Sequence, residues 1–342
     1  MYDISFRLVC SSSIAPLTLQ DDSAPNIQPK QQPIILPSTK PEPIIIPQPK
    51  LSLKTFSFEV ITVNNRGEEI NRVPKQAQYF TEDLGNGVIL EMVAIPGGTF
   101  MMGSPEDEAG RRDTESPQHG VSLQPFYMSK YPITQNQYQA IMGKNPSYFK
   151  GGKRPVERVT WYNATEFCQK LSQKTTKIYK LPSESQWEYA CRAGTTTPFY
   201  FGETITTDLV NYNGNYTYAN APKGKYRKQT TDVGSFSPNA FGLYDMHGNV
   251  WEWCADDWHD NYEDVPTDGT AWVNSHDFQN INNKKELYPL LRGGSWYDNP
   301  YVCRSAIRGG SDRQASHVYI FGFRIVCTCI NLTLQDDSTP NI

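Results

Sequence analysis

Between Gly194 and Cys327 the chain carries almost no helical periodicity. Short apolar pieces such as Gly242-Leu243-Tyr244, Val250-Trp251-Glu252-Trp253 and Phe321-Gly322-Phe323-Arg324-Ile325-Val326 stand instead between clusters of Gly, Asn, Asp and Pro. Such residues punctuate turns, because Gly supplies positive φ, Pro fixes φ, and Asn and Asp bond their own backbone. A helical bundle and an alternating βαβ fold are excluded, which leaves an α+β, loop-rich fold with little regular secondary structure. The 24 Gly, 25 Pro and 42 aromatic residues (20 Tyr, 15 Phe, 7 Trp) suit the same irregular globule.

Helix signals are confined to the first half. Thr134 with Gln137 forms a capping box ahead of Tyr138, Ile141 and Met142. Thr160 precedes Ala164, Phe167, Cys168 and Leu171, spaced to share one helical face. Ser183 with Gln186 caps WEYACRAG, which Gly194 is expected to stop. Phe56 to Thr62 alternates in a β-rich run, and Val88 to Ile95 reads as a buried strand ended by Pro96-Gly97-Gly98.

The organisation along the chain follows from composition. Residues 28–52 hold a Pro every few positions and are expected to form a semi-rigid tether. Ahead of it, FRLVC and LTLQDDSAPNI recur at the other end as FRIVC and LTLQDDSTPNI. Residues 1–27 therefore repeat the C-terminal tail; they are too short to bury a core of their own and are expected to be disordered. The globular domain is placed at 53–327 and a tail at 328–342. The 32 basic and 36 acidic residues, a net charge of −4, leave no electrostatic footprint for nucleic acid. No run approaches the roughly 20 apolar residues of a membrane span, so no membrane insertion is expected. Seven cysteines without a C-x-x-C pair, behind a start (MYDISFRLVCSSS) that lacks a long apolar run, point to the cytoplasm.

Seven phrases in order, MVAIPGGTFMMGS (92–104), KYPITQNQY (130–138), PVERVTWYNATEFC (155–168), KLPSESQWEYACRAG (180–194), NAFGLYDMHGNVWEW (239–253), LRGGSW (291–296) and GFR (322–324), resemble the formylglycine-generating enzyme (sulfatase-modifying factor) family. The resemblance implies a C-type lectin-like fold with the two ends of the domain meeting in a small sheet. The resembling oxidases bind copper with two cysteines, three and eight residues after the Ser of GGS. Here those places hold Asp298 and Cys303. One thiolate and one carboxylate make a poor site for a soft cuprous ion, so no copper and no catalysis are expected. His119, His247, His259, His276 and His317 do not supply the histidine cluster of the iron-binding branch. The resemblance also implies structural calcium held by Asp245, Glu252 and the carbonyls of Gly248 and Val250, a hard oxygen set. A second family site would use Asn211, the Tyr212 carbonyl and the loop near Lys225 and Tyr226, where the family's Asp is missing.

The segment 290–327 is similar to the variable region of a subset of this family, the variable proteins of diversity-generating retroelements. There, adenine-directed mutagenesis rewrites chosen codons between fixed phrases, here RGGSW, CRSA and GFR. The expected ligand-binding positions are Tyr297, Asp298, Asn299, Tyr301, Val302, Ile307, Gly309, Gly310, Ser311, Ala315, Ser316, His317, Val318, Tyr319 and Phe321, on a surface spanning about 296–321. Aromatics beside Gly, Ser and Asn suit recognition, the first by contact area and the others by adaptable hydrogen bonding. Arg292, Arg304, Arg308 and Arg324 are assigned to scaffold hydrogen bonding. The expected function is non-catalytic binding of a protein or small-molecule ligand. The alternatives are a copper-dependent oxidase acting on protein cysteine through Cys303, or a binding module with a fixed partner.

Overall fold

The computed structural model describes residues 51–175, 177–274, 288–316 and 318–328. The N-terminal repeat, nearly all of the Pro-rich tether, His276, His317 and the tail beyond 328 lie outside the described residues. Two long strands open the domain, β1 (Lys54–Val63) and β2 (Glu69–Asp83), and pair antiparallel as a hairpin. Its turn is closed by the Asn64 side chain, which accepts the amides of Arg66 and Glu68 at 2.9 and 3.1 Å. There follow β3 (Ile89–Ile95), β4 (Gly98–Met102), β5 (His119–Leu123) and β6 (Phe126–Ser129). Helices α1 (Gln135–Met142) and α2 (Trp161–Thr175), strand β7 (Tyr179–Lys180) and helix α3 (Glu184–Arg192) complete the first half. The second half contributes the strands β8 (Trp251–Asp257), β9 (Pro289–Arg292), β10 (Gly309–Gly310), β11 (Phe321–Gly322) and β12 (Val326–Cys327), with a short 3-10 turn at Pro300–Cys303. The arrangement is thus α+β and loop-rich, as expected.

The strands form a six-stranded sheet in the order β1-β2-β3-β6-β12-β7, a four-stranded sheet β10-β9-β8-β11, and the pair β4-β5. In the large sheet β12, from the end of the domain, lies between β6 and β7. First and last strands therefore share one sheet. Both predicted capping boxes form, at Thr134/Gln137 and Ser183/Gln186. The predicted face of α2 is buried at Ala164, Phe167, Cys168 and Leu171. Gly194 is not the residue that stops α3: Ala193 takes the left-handed cap at φ 46°, and Gly194 follows at φ 94°. Strand β2 went unread because most of its side chains are exposed, so it shows no apolar alternation. Among the described residues no helix is long and apolar enough to cross a membrane.

Two apolar clusters fill the interior. One gathers Val93, Trp187, Phe199 and Met246, the other Tyr138, Phe167, Trp253 and Phe323. Charge is buried alongside them. Arg292, Arg304, Arg308 and Arg324 are at most 1% exposed, and each meets a carboxylate from earlier in the chain. Arg308 forks onto Glu184 at 2.7 and 3.0 Å, with Arg292 joining the same Glu184 at 3.0 Å and also bonding Glu188. Arg304 holds Glu115 at 2.6 and 2.8 Å and bonds Glu108. Arg324 forks onto Glu252 at 2.5 and 2.8 Å. Removing one partner of such a pair leaves a buried charge uncompensated, at a cost of about 3–5 kcal/mol. Arg304→Met should therefore lower unfolding stability in urea by about that much. Arg72→Met, which breaks an exposed pair with Glu59 and Glu69, should cost at most about 1 kcal/mol.

Candidate functional site

The segment between β9 and β11 is a set of loops whose ends are fixed before its surface is displayed. Gly293 and Gly294 turn the chain at φ 96° and 72°, and a Cβ on Gly294 would sit 2.5 Å from the Val302 carbonyl oxygen. Only glycine tolerates both conditions. The Trp296 amide then donates to the Asn249 carbonyl at 3.1 Å and its indole to the Tyr319 carbonyl at 3.2 Å. Asp298 accepts from Ser295 Oγ at 2.5 Å and Trp251 Nε1 at 2.9 Å, while its carbonyl takes the Asn213 amide at 2.9 Å. Burial pushes its carboxyl pKa up, against the pull of those two donors.

On this frame an aromatic surface reaches solvent. Tyr297 and Tyr319 are 59% and 44% exposed, and Tyr148, from the loop after α1, is 58% exposed. Tyr148 packs on Tyr319 with ring centroids 4.8 Å apart; Phe149 meets Trp296 edge-on at 5.4 Å, and Tyr226 stacks on Trp296 at 6.2 Å. The guanidinium of Arg158 lies 5.9 Å from the Tyr319 ring centre. Rings from three parts of the chain thus converge, Tyr148 and Phe149, Tyr226, and the 296–319 segment. Tyr148, Phe149 and Tyr226 were missed in the sequence, where nothing in their local spacing sets them apart from core aromatics.

The expected positions divide. Tyr301 is exposed but faces elsewhere, 4.8 Å from Tyr218 and over Gly110. Gly310 is exposed, and Asn299, Ser311, Ala315, Ser316 and Val318 are half-buried. Ile307 is corrected: at 1% exposure it is core, packed in the cluster of Trp253 and Phe323, and cannot meet a ligand. Val302 and Phe321 pack against the same cluster. Gly309 pairs with Leu291, and a Cβ there would press on the Trp251 ring at 3.0 Å. Asp298 is an internal brace. His317 lies outside the described residues.

The expected thiol and metal positions are occupied as follows. Cys303 is fully buried, its pKa driven up by desolvation, and the place of the oxidases' first cysteine holds the braced Asp298. His247 is a neutral structural residue: it bonds the Cys303 carbonyl at 2.7 Å, accepts the Tyr200 amide at 3.1 Å, and burial lowers its pKa to about 3. The donor set implied for calcium does not fit that ion. Both oxygens of Glu252 are taken by Arg324, and one also accepts Trp187 Nε1 at 2.7 Å, so the compensating positive charge comes from the chain itself. Asp245 accepts the Gly234 amide at 2.8 Å, and burial lifts its pKa to about 6. Among the described residues no group of three or more His, Cys, Asp or Glu is placed to hold a metal.

The description of the sulfatase-modifying factor enzyme 1-like domain matches residues 81–329. The chaperone protein LppX of Paenibacillus barcinonensis is 32% identical over 49% of this chain and 75% of its own length. A serine/threonine-protein kinase, pkn1, of Chlamydia pneumoniae is 30% identical, but the chain spans only 38% of that protein. Among solved structures, PvdO from Pseudomonas aeruginosa superimposes with a TM-score of 0.61 at 32% identity, over 73% of this chain and 98% of that one. Treponema denticola variable protein 1 superimposes with a TM-score of 0.58 at 26% identity, over the same shares. The architecture is the C-type lectin-like one of the formylglycine-generating type. Relatives include a formylglycine-generating enzyme and one described as inactive.

Two tests follow from the geometry. Glu157 accepts the Phe149 amide at 2.8 Å, its second oxygen is buried without a partner among the described residues, and burial raises its pKa to about 7. A carboxyl raised in the folded state contributes most when protonated, and that contribution is lost as pH climbs from the ordinary 4.5 through about 7. Glu157→Gln should thus gain in Tm relative to the parent between pH 5 and pH 8; an equal difference at both values would show that Glu157 does not titrate in this range. Separately, millimolar Ca²⁺ should leave Tm unchanged from that in EDTA, and a rise would restore the calcium assignment.

Proposed function

We propose that this chain, which belongs to the sulfatase-modifying factor enzyme 1-like domain family, is a non-catalytic ligand-binding protein that displays a retroelement-diversified surface at about 296–321. The observation that carries the reading is the exposed aromatic surface of Tyr148, Tyr297 and Tyr319, which rests on the buried Trp296 and the half-buried Phe149. Large rings held by other rings lose little conformational freedom on binding, so contact area is converted to affinity efficiently. The cysteine pair of the oxidases is incomplete here, and the remaining thiol of Cys303 is sealed from solvent. Likeness to a solved protein named as variable supports the reading further.

The partner is a protein or small molecule held noncovalently, and neither nucleic acid nor membrane enters. A cytoplasmic setting is favoured by the cysteines at 168, 191, 254 and 303, which are buried free thiols. The gene and its flanking DNA should be sequenced from many sibling isolates. Differences clustered in codons 297–321 and matched to adenines of a nearby template copy are expected. Invariant codons with no template copy would end the retroelement reading. In a ligand screen, Tyr319→Ala should cost about 2 kcal/mol or more in binding while leaving Tm close to the parent's.

A further inference from the structure

The cations elsewhere in the interior are neutralised, yet one groove outside the variable region gathers cations that are not. It encloses about 410 Å³ and is lined by Arg154, Lys225, Arg227, Thr230, Thr231 and Asp232 among others. None of its three cations meets a carboxylate among the described residues, and Asp232 is the sole acid lining it. Arg154 is oriented by the framework, its Nη1 donating to the Thr230 carbonyl at 2.5 Å and the Gln229 side chain at 3.2 Å. Arg227 donates Nη2 to the Thr207 carbonyl at 2.8 Å and lies over the Phe236 ring, its centre 5.2 Å away. Its Nη1 is buried with no hydrogen-bond partner, and so is the Thr231 hydroxyl oxygen. Lys225 is anchored by its backbone amide, which donates to Thr207 Oγ1 at 2.9 Å, so its side chain is left to the groove.

We propose that this groove is a binding site for a phosphate group carried on a small molecule. Three cations against one carboxylate leave a local excess of two positive charges, which suits a dianion better than a monoanion. A tetrahedral oxyanion offers several acceptors at once, matching the planar forks of Arg154 and Arg227, the point charge of Lys225 and the unpartnered donors. The volume exceeds what a bare ion needs and falls in the usual range for small ligands, about 300–1,000 Å³. The net charge of −4 disfavours an extended polyanion. Between Lys225 and Arg227, Tyr226 stacks on Trp296, so the groove shares a short segment with the aromatic surface without using its variable positions.

The test is calorimetric titration of the full chain with inorganic phosphate in low-salt buffer, with acetate as the comparison anion. Saturable binding at one site is expected, at least roughly tenfold tighter than acetate, weakened at least roughly tenfold by Lys225→Ala and unchanged by Lys144→Ala or Tyr319→Ala. Lys225→Ala keeps the backbone anchor to Thr207 and so should remain folded, which circular dichroism would verify. Absence of saturable binding, equal affinity for acetate, or equal weakening by Lys225→Ala and Lys144→Ala would overturn the assignment. The outcome is independent of the proposed ligand surface: phosphate binding that survives Tyr319→Ala stands even if the aromatic surface binds nothing.

Discussion

The domain depends on carboxylates and guanidiniums that are buried together. Glu108, Glu115, Glu184 and Glu188 come from the first 200 residues, and Arg292, Arg304 and Arg308 come from the segment that carries the display loops. A bidentate guanidinium accepts only a narrow range of partner geometries. Each pair therefore fixes the direction as well as the distance between the helical half and the loop half. Well-packed apolar residues in the same places would supply comparable or greater stability, but an apolar contact can slide, and a forked ion pair cannot do so without exposing an unpaired charge to a low-dielectric interior. The same logic places Arg324 against Glu252, where the chain meets the negative charge of a loop motif with its own cation.

Much of this was legible in the sequence, for reasons that can be stated. Capping boxes are local, so Thr134 and Ser183 marked helix starts correctly. Ala164, Phe167, Cys168 and Leu171 obeyed helical spacing because only one face of α2 is buried. Arg292, Arg304 and Arg324 were recognisable as scaffold because they stand in the family-like phrases RGGSW, CRSA and GFR. What escaped is what depends on tertiary partners. Strand β2 is defined by its pairing with β1 and β3, not by its own alternation. Ile307 falls in an irregular run and could be read as surface, yet the strand beside it turns it into the core. The same is true of Tyr148 and Tyr226, far apart in the chain, whose association with Tyr319 and Trp296 exists only in the folded state.

The donor set expected for calcium meets a physical obstacle that spacing cannot reveal. Asp245, Gly248, Val250 and Glu252 have the right chemistry, but a guanidinium from Arg324, distant in the chain, takes the carboxylate first. There the chain's own guanidinium supplies positive charge to the carboxylate.

The anchoring of the display loops carries a consequence for how far they can change. The Tyr301, Tyr319 and Ile320 carbonyls receive Arg304, Trp296 and the Trp251 amide, and the Ser311 amide reaches the Pro289 carbonyl. These tethers are written in main-chain atoms, so they are blind to which side chain stands there. Substitution at such positions can change surface chemistry without losing register, much as type can be reset in a rigid frame. Asp298, whose side chain is itself a tether, is the place where that freedom should stop.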